Sequence, residues 1–495
     1  MTAPPHPVFE ALEQDTEAGV AEAFTRLAIG YFAATRTGEG PVSTPLGPDE
    51  LARRFDEPLP RAGRSIAAVL ARLRDEVLPD SNHLCHPASM GHQVSAPLPA
   101  AVWTESVIGA LNQSAAVWEM SPVGTILETR VVRWLCELAG FPPEAGGSFT
   151  SGGTEATFVA LAAARAAAFP DAWQRGLAGP LPVVVHGEHA HYAVTRAVGQ
   201  LGLGTDNAVT VPTQDFRMDV EALVRTLDRL HADSRRVMAV VATAGSTATG
   251  SFDDLDAIGR LCEERGLWLH VDGAHGASAL LSPTQRFRLA GSERARSIAW
   301  DPHKMMLLPL AASMVLVRDE RQLDAAFSQR APYLFHAREG GRGWDQGVRS
   351  FQCSRRTDAL KVWVALQRYG ADGLGAVYDR LCATARALHE AIGRRPDFEA
   401  LHEPASNILC FRWTGDGSFD AERLDALNLS LREAFNRSGD GWITTTLLAG
   451  RRVLRATIMN PRTTAADVER LLDRLAARVQ ELPRTAAVAP GARPA

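Results

Sequence analysis

The sequence predicts an α/β protein with a mostly parallel central sheet and crossover helices, followed by a smaller α+β region. Three observations carry this prediction. Between about Pro87 and Gly370, short apolar runs such as PVVVHG, VMAVVATA, LWLHVDG and ASMVLVRD alternate with longer stretches of helical periodicity. From about Ala371 the pattern changes to helix, SNILCFRW strand, helix, RVLRATIMN strand and a final helix, which suits an antiparallel sheet. The length of 495 residues also exceeds one ordinary compact unit and implies two or three domains.

In chain order, residues 1–85 form an N-terminal helical segment, because VAEAFTRLAIGYFAATR and SIAAVLARLRDEVL place apolar residues at helical spacing between Pro and Gly breaks. Residues 86–370 make the large α/β domain and 371–485 the small α+β domain. Residues 486–495 are rich in Ala and Pro with little to bury, so they are expected to form a disordered tail. No internal repeat is present.

Composition narrows the function. The formal charge of -5 is small for this length and no run of Lys or Arg occurs, which disfavours nucleic-acid and anionic-membrane partners. Small-molecule chemistry is the expectation. Six cysteines without CxxC or metal-ligand spacing suit reduced thiols in a reducing compartment. The N-terminus has no basic segment followed by an apolar run, and no stretch approaches about 18 apolar residues, so a cytoplasmic protein is expected.

The chemistry begins at WDPHKMMLLP, where Lys304 follows His303, and at LWLHVDGAHG, where Asp272 closes a strand 32 positions upstream (304 minus 272). Lys304 suits a Schiff base with the aldehyde of pyridoxal 5'-phosphate. Asp272 suits the role of keeping the pyridinium nitrogen protonated, since a carboxylate ending an apolar strand needs a cationic partner. Ala274 is small enough to pack on the ring. In SFTSGGTEATFVAL, residues Ser151, Gly152, Gly153 and Thr154 form a small-residue turn opening an Ala-rich helix, whose free N–H groups and positive dipole end suit a phosphate. In HGEHAHYAVTRA, His191 suits a place over the ring, with His186 and His189 as nearby competitors. The histidine triplet lacks acidic or cysteine partners at metal-ligand spacing, so no metal is expected. In VVATAGSTATGSFDDLDAIG, Ser246 or Thr247 suits a hydrogen bond to the cofactor, while Asp253 and Asp254 fit the N-terminus of the next helix.

With these residues in this order, the chain from about residue 80 to 480 resembles the pyridoxal-dependent amino-acid decarboxylases of the glutamate, cysteine-sulfinate and aromatic amino-acid group. The most specific match is WDPHKMMLLPLAASMVLVRD, followed by APYLF and SFQCSRRTDALKVWVALQRYG. The resemblance implies the aspartate-aminotransferase-like type I fold and a homodimer with shared active sites. It makes Lys304 the Schiff-base lysine, His303 a phosphate neighbour, Asp272 the pyridinium partner and His191 the stacking histidine. Tyr333, in a stretch whose glycines and polarity suit a mobile loop, matches the tyrosine that returns a proton to Cα. Ser354 matches the position approaching the partner subunit's phosphate, with Arg355 and Arg356 left unapportioned. Arg455 matches the arginine receiving the substrate carboxylate.

The implied reaction is decarboxylation of an L-amino acid to an amine. For the substrate, Gln93 and Ser95 in HPASMGHQVSAP suit a distal carboxylate or sulfinate, which points to glutamate, aspartate or cysteine sulfinate. In LNQSAAVWEMSPVGT, Ser114 and Ala116 stand where glutamate-specific members carry an amide and an aromatic. Ser114 is closer to cysteine-sulfinate types and Ala116 opens the pocket, which leaves 2,4-diaminobutyrate and aromatic amino acids as alternatives. Decarboxylation with oxidative deamination to an aldehyde is disfavoured by the presence of both Tyr333 and His191. A transaminase is disfavoured by the WDPHK and YLF pattern, and a non-catalytic cofactor-binding partner protein by the intact Lys304, Asp272 and Tyr333.

Overall fold

The computed structural model describes residues 6–327 and 343–482. The chain divides into two compact units, one formed by Gln93–His389 with His402–Cys410, the other by the residues up to His92, Glu390–Leu401 and those from Phe411 onward. The N-terminal helical segment therefore belongs to the same unit as the C-terminal sheet.

The larger unit holds a seven-stranded sheet of β1 (Gly146–Thr150), β2 (Val183–Gly187), β3 (Ala208–Val211), β4 (Val237–Thr243), β5 (Trp268–Asp272), β6 (Ser297–Trp300) and β7 (Ser313–Val317), in the order β1-β7-β6-β5-β4-β2-β3. Only β7 runs against its neighbours. The other pairs are parallel, so the sheet is mostly parallel as the sequence predicts. Every residue of β2, β5, β6 and β7 is buried, which explains why these segments are mostly apolar rather than alternating, with His186, His270, Asp272, Ser297 and Ser313 as buried polar exceptions.

Helix α1 (Gly153–Ala168) packs over β5, β6 and β7. Its buried face is largely alanine, including Ala156, Ala160 and Ala163, and these short side chains let the helix approach the sheet closely. Asp254 caps the helix Leu255–Glu264 by accepting from Ala257 N at 3.0 Å. Asp253, read from sequence as a second capping residue, does something else. Its buried carboxylate accepts from Met218 N and Thr243 N, both at 2.7 Å, and so braces the end of β4.

The long helix Ala359–Gly393 is broken at Gly370, whose φ of 70° lies in the left-handed region that glycine enters freely. In the smaller unit, β8 (Phe398–Ala400), β9 (Ile408–Trp413), β10 (Thr444–Leu448) and β11 (Arg451–Thr457) form a sheet in the order β8-β9-β11-β10, with β8 antiparallel to β9 and β10 antiparallel to β11. Helices Ala421–Ser438 and Ala465–Glu481 belong to this unit, the second opened by a capping box between Thr464 and Asp467. Its N-terminal helices bury little, and Phe9, Leu12, Phe24 and Ile29 stand exposed. Among the described residues no helix is long and apolar enough to cross a membrane.

Candidate active site

The candidate site lies at the C-terminal ends of β4, β5 and β6, where a parallel sheet concentrates its ligand-binding loops. A cavity of about 290 Å³ opens there, bounded by Thr243 and Asp272 at the ends of β4 and β5 and by Asp301, His303 and Lys304 just beyond β6. Ser151, Gly152, Gly153 and Thr154 line it from the start of α1, and His191, Thr247, Ala274 and Gln93 complete the predicted residues found there.

Asp301 ties the site together. Its Oδ2 lies 3.1 Å from Lys304 Nζ and 3.5 Å from His303 Nε2, and accepts from Gly153 N at 3.2 Å. Its Oδ1 accepts from the Ser313 hydroxyl at 2.6 Å. Burial favours the protonated carboxyl, but Lys304, His303 and Ser313 outweigh it and hold Asp301 below the usual carboxylate range. Asp301 lies inside WDPHK, and the sequence pattern alone gives it no role. Its spacing three residues before Lys304 is the available signal; Gly153 and Ser313 lie 148 and 12 residues away.

Asp272 is buried, lines the cavity, and accepts from Ala274 N at 3.2 Å through Oδ1. His191 accepts from Ala193 N at 3.3 Å through Nδ1, which places the proton of a neutral ring on Nε2. Burial pushes its pKa down, with Lys304 adding to the fall and the Asp272 and Asp301 carboxylates opposing it, so the imidazole is neutral at pH 7. Its two competitors point elsewhere: His186 is buried on β2 with Nδ1 2.9 Å from Gly187 O, and the His189 ring lies 5.7 Å from that of Phe216.

At the turn before α1, the Ser151 N–H and hydroxyl both donate to Glu155 Oε2, at 2.9 and 2.6 Å, and Gln352 Nε2 donates to the same oxygen at 2.6 Å. Glu155 thus caps its own helix. A Cβ at position 152 would meet only open space, whereas one at 153 would come within 2.8 Å of Ala274 Cβ and 3.0 Å of Asp301 Oδ2. Open room above Gly152 and a backbone too crowded for any side chain at 153 are what a closely approaching phosphate requires. Two buried polar groups at the cavity, Thr243 Oγ1 and Gln93 Nε2, have no hydrogen-bond partner among the described residues. Buried groups of this kind call for a ligand. Lysine, buried carboxylate, neutral imidazole and glycine turn therefore fit pyridoxal phosphate.

Other predicted residues fall outside this cavity. The Ser246 hydroxyl lies 2.9 Å from the hydroxyls of Thr249 and Ser251 inside a turn. Ser95 is buried, and its hydroxyl donates to His303 O at 3.1 Å, supporting the lysine segment from below. Ser114 is half-buried and accepts from Ala116 N at 3.4 Å, while Ser354 is exposed. Arg455 is buried on β11 of the smaller unit, opposite Thr444. Tyr333 lies outside the described residues. Thr243, Gly245, His275 and Leu310 also line the cavity and were not singled out in the sequence.

A family model described as "Pyridoxal-dependent decarboxylase conserved domain" matches residues 48–414. The chain is 35% identical over 428 residues to an L-2,4-diaminobutyrate decarboxylase of Rhizobium meliloti, covering 86% of this chain and 84% of that one. It is 33% identical over 453 residues to the cysteine sulfinic acid decarboxylase of Rattus norvegicus, covering 88% and 90%. Among solved structures, mouse CSAD in apo form superposes with a TM-score of 0.86 at 32% identity, covering 93% of this chain and 99% of that one.

Proposed function

The chain belongs to the pyridoxal-dependent decarboxylase family and is a pyridoxal phosphate-dependent amino-acid decarboxylase; from that premise we propose that its substrate carries a second acidic group, as glutamate, aspartate and cysteine sulfinate do. The observation that supports this is the buried Gln93 Nε2, a donor without a partner among the described residues, at the cavity that also holds Lys304. A carboxylate or sulfinate would satisfy that donor.

In this reading the Ser151–Thr154 turn would hold the phosphate, His191 the ring face, Asp272 the proton on the ring nitrogen and Lys304 the aldehyde. When bound, pyridoxal phosphate supplies an electron-accepting ring that takes up the pair left on Cα when carbon dioxide departs. Neutral His191, with its proton on Nε2, would help move a proton to Cα, a role shared with Tyr333. Arg455 would receive the α-carboxylate. We assign the protein to the cytoplasm, a reading supported by its six cysteines, none of which forms a disulfide among the described residues.

We also propose a homodimer with shared active sites. Trp103, Val107, Leu111, Met120, Val123 and Ile126 are exposed within one stretch of the larger unit, and exposed apolar side chains of this kind suit a protein partner. Ser114 lies in the same stretch, and a partner subunit would give both Ser114 and Ser354 a cavity to serve. Light scattering on the purified protein checks this, with a monomer at micromolar concentration refuting it.

The substrate test is product analysis of the cofactor-loaded enzyme against the twenty amino acids plus cysteine sulfinate and 2,4-diaminobutyrate, scoring carbon dioxide, amine, aldehyde and peroxide. Amine with equimolar carbon dioxide from an acidic substrate, and a KM raised about tenfold for that substrate by Gln93→Leu, is the expected result. Turnover of 2,4-diaminobutyrate alone, the second reading and one favoured by the Rhizobium relative, would overturn it.

A further inference from the structure

The carboxylate of Asp301 has no part in the reaction described above, yet it meets Gly153, Lys304, His303 and Ser313. Its side chain is 1% exposed. It takes the Gly153 N–H at 3.2 Å, one of the donors of the turn read as the phosphate site, and it pairs with Lys304 Nζ at 3.1 Å. The Ser313 hydroxyl, 2.6 Å away, anchors it to β7. A buried anion therefore already occupies part of the machinery that must receive another anion.

We propose that Asp301 is a positioning residue that holds the glycine turn and Lys304 in place in the cofactor-free enzyme and competes directly with the cofactor phosphate for the Gly153 amide. The proposal rests on reading Ser151–Thr154 as the phosphate turn. Loading joins the Lys304 nitrogen to the aldehyde carbon, with the aldehyde oxygen leaving as one water. For this the lysine must leave its ion pair and give up its extra proton to solvent. Two features of Asp301 then oppose loading: its charge repels the phosphate, and its ion pair restrains the lysine. The first is felt only by a phosphorylated cofactor, the second by any aldehyde. That difference makes them separable.

The experiment titrates the stripped, full-length wild type, Asp301→Asn and Asp301→Ser with pyridoxal phosphate and, separately, with pyridoxal. Absorbance and tryptophan fluorescence report binding, and borohydride reduction with peptide mass mapping verifies attachment at Lys304. Circular dichroism checks that the variants fold, and the two neutral replacements differ in size so that one packing defect does not decide the outcome. Removing a like charge at close range is expected to lower the Kd for pyridoxal phosphate about tenfold more than the Kd for pyridoxal. An equal change for the two ligands, which is what a merely structural role would give, overturns the proposal, as does a relative weakening of pyridoxal phosphate. A wild type with no preference for pyridoxal phosphate over pyridoxal overturns the phosphate-turn reading and this proposal with it.

Discussion

The ion pair between Glu128 and Arg355 can be tested by a double-mutant cycle whose size follows from its geometry. Both side chains are almost fully buried, 1% and 3% exposed. Arg355 Nη1 and Nη2 each lie 3.0 Å from Glu128 Oε1, and the same guanidinium donates to Ala115 O at 3.1 Å and Phe149 O at 3.4 Å. At an effective dielectric constant of about 20 the gross attraction is about 5 kcal/mol, most of it offset by the desolvation of two ions. Replacing Arg355 by Met leaves Glu128 buried without its cation and is expected to cost about 3–5 kcal/mol. Removing both charges with Glu128→Leu and Arg355→Met together is expected to recover most of that loss, because no uncompensated charge remains. Urea unfolding of the cofactor-saturated enzyme, followed by tryptophan fluorescence, measures both. A single Arg355→Met variant within 1 kcal/mol of the wild type, or a double variant as unstable as the single, would refute the argument.

Gly153→Ala forces a Cβ to within 2.8 Å of Ala274 Cβ. It is expected to cost about 1–3 kcal/mol of stability and to weaken pyridoxal phosphate binding about tenfold, with unchanged affinity in a cofactor titration counting against the phosphate turn. Lys304→Ala is expected to abolish the adduct trapped by borohydride, and mass mapping that still finds cofactor on another lysine would remove Lys304 from its role. His270 is fully buried on β5, and burial pushes its pKa down to about 4, against the raising influence of Asp272. Well above pH 6.5 the imidazole is neutral in both folded and unfolded chains. As pH falls from 6.5 towards 4 only the unfolded chain takes up the proton, so stability is lost in that window, by about 2 kcal/mol at pH 5. His270→Asn is expected to flatten the dependence of the urea midpoint between pH 7 and 5, and an unchanged slope would assign the acid sensitivity to other groups.

Much of this architecture is legible in the sequence because its signals are local. The runs that became β2, β5 and β7 are mostly apolar since a covered sheet demands it, and the glycine turn, the aspartate ending β5 and the lysine after His303 each stand out within a few residues. What depends on distant partners is not legible. Asp253 and Asp254 are indistinguishable as neighbouring acids before a helix, yet Asp253 is claimed by Met218, 35 residues away, and only Asp254 caps. Asp301 stands 148 residues from the Gly153 amide it accepts. The reversed direction of β7 and the shared unit of N-terminal helices and C-terminal sheet likewise follow from packing that no short pattern encodes.

Asp272 and Asp301 stand at or just past the ends of β5 and β6, two strands whose register, Asp272 beside Ala299, is locked inside a sheet covered on both faces. Gln93 and Leu310, at the same cavity, sit on irregular backbone. A one-residue slip in either strand would turn all of its side chains over, whereas a substitution on the irregular segments disturbs only its surroundings. Substitutions at positions 93 and 310 are therefore expected to leave the strand ends, and the carboxylates they position, in place. A directed-evolution library aimed at a new substrate belongs at those positions, with the strand ends left untouched.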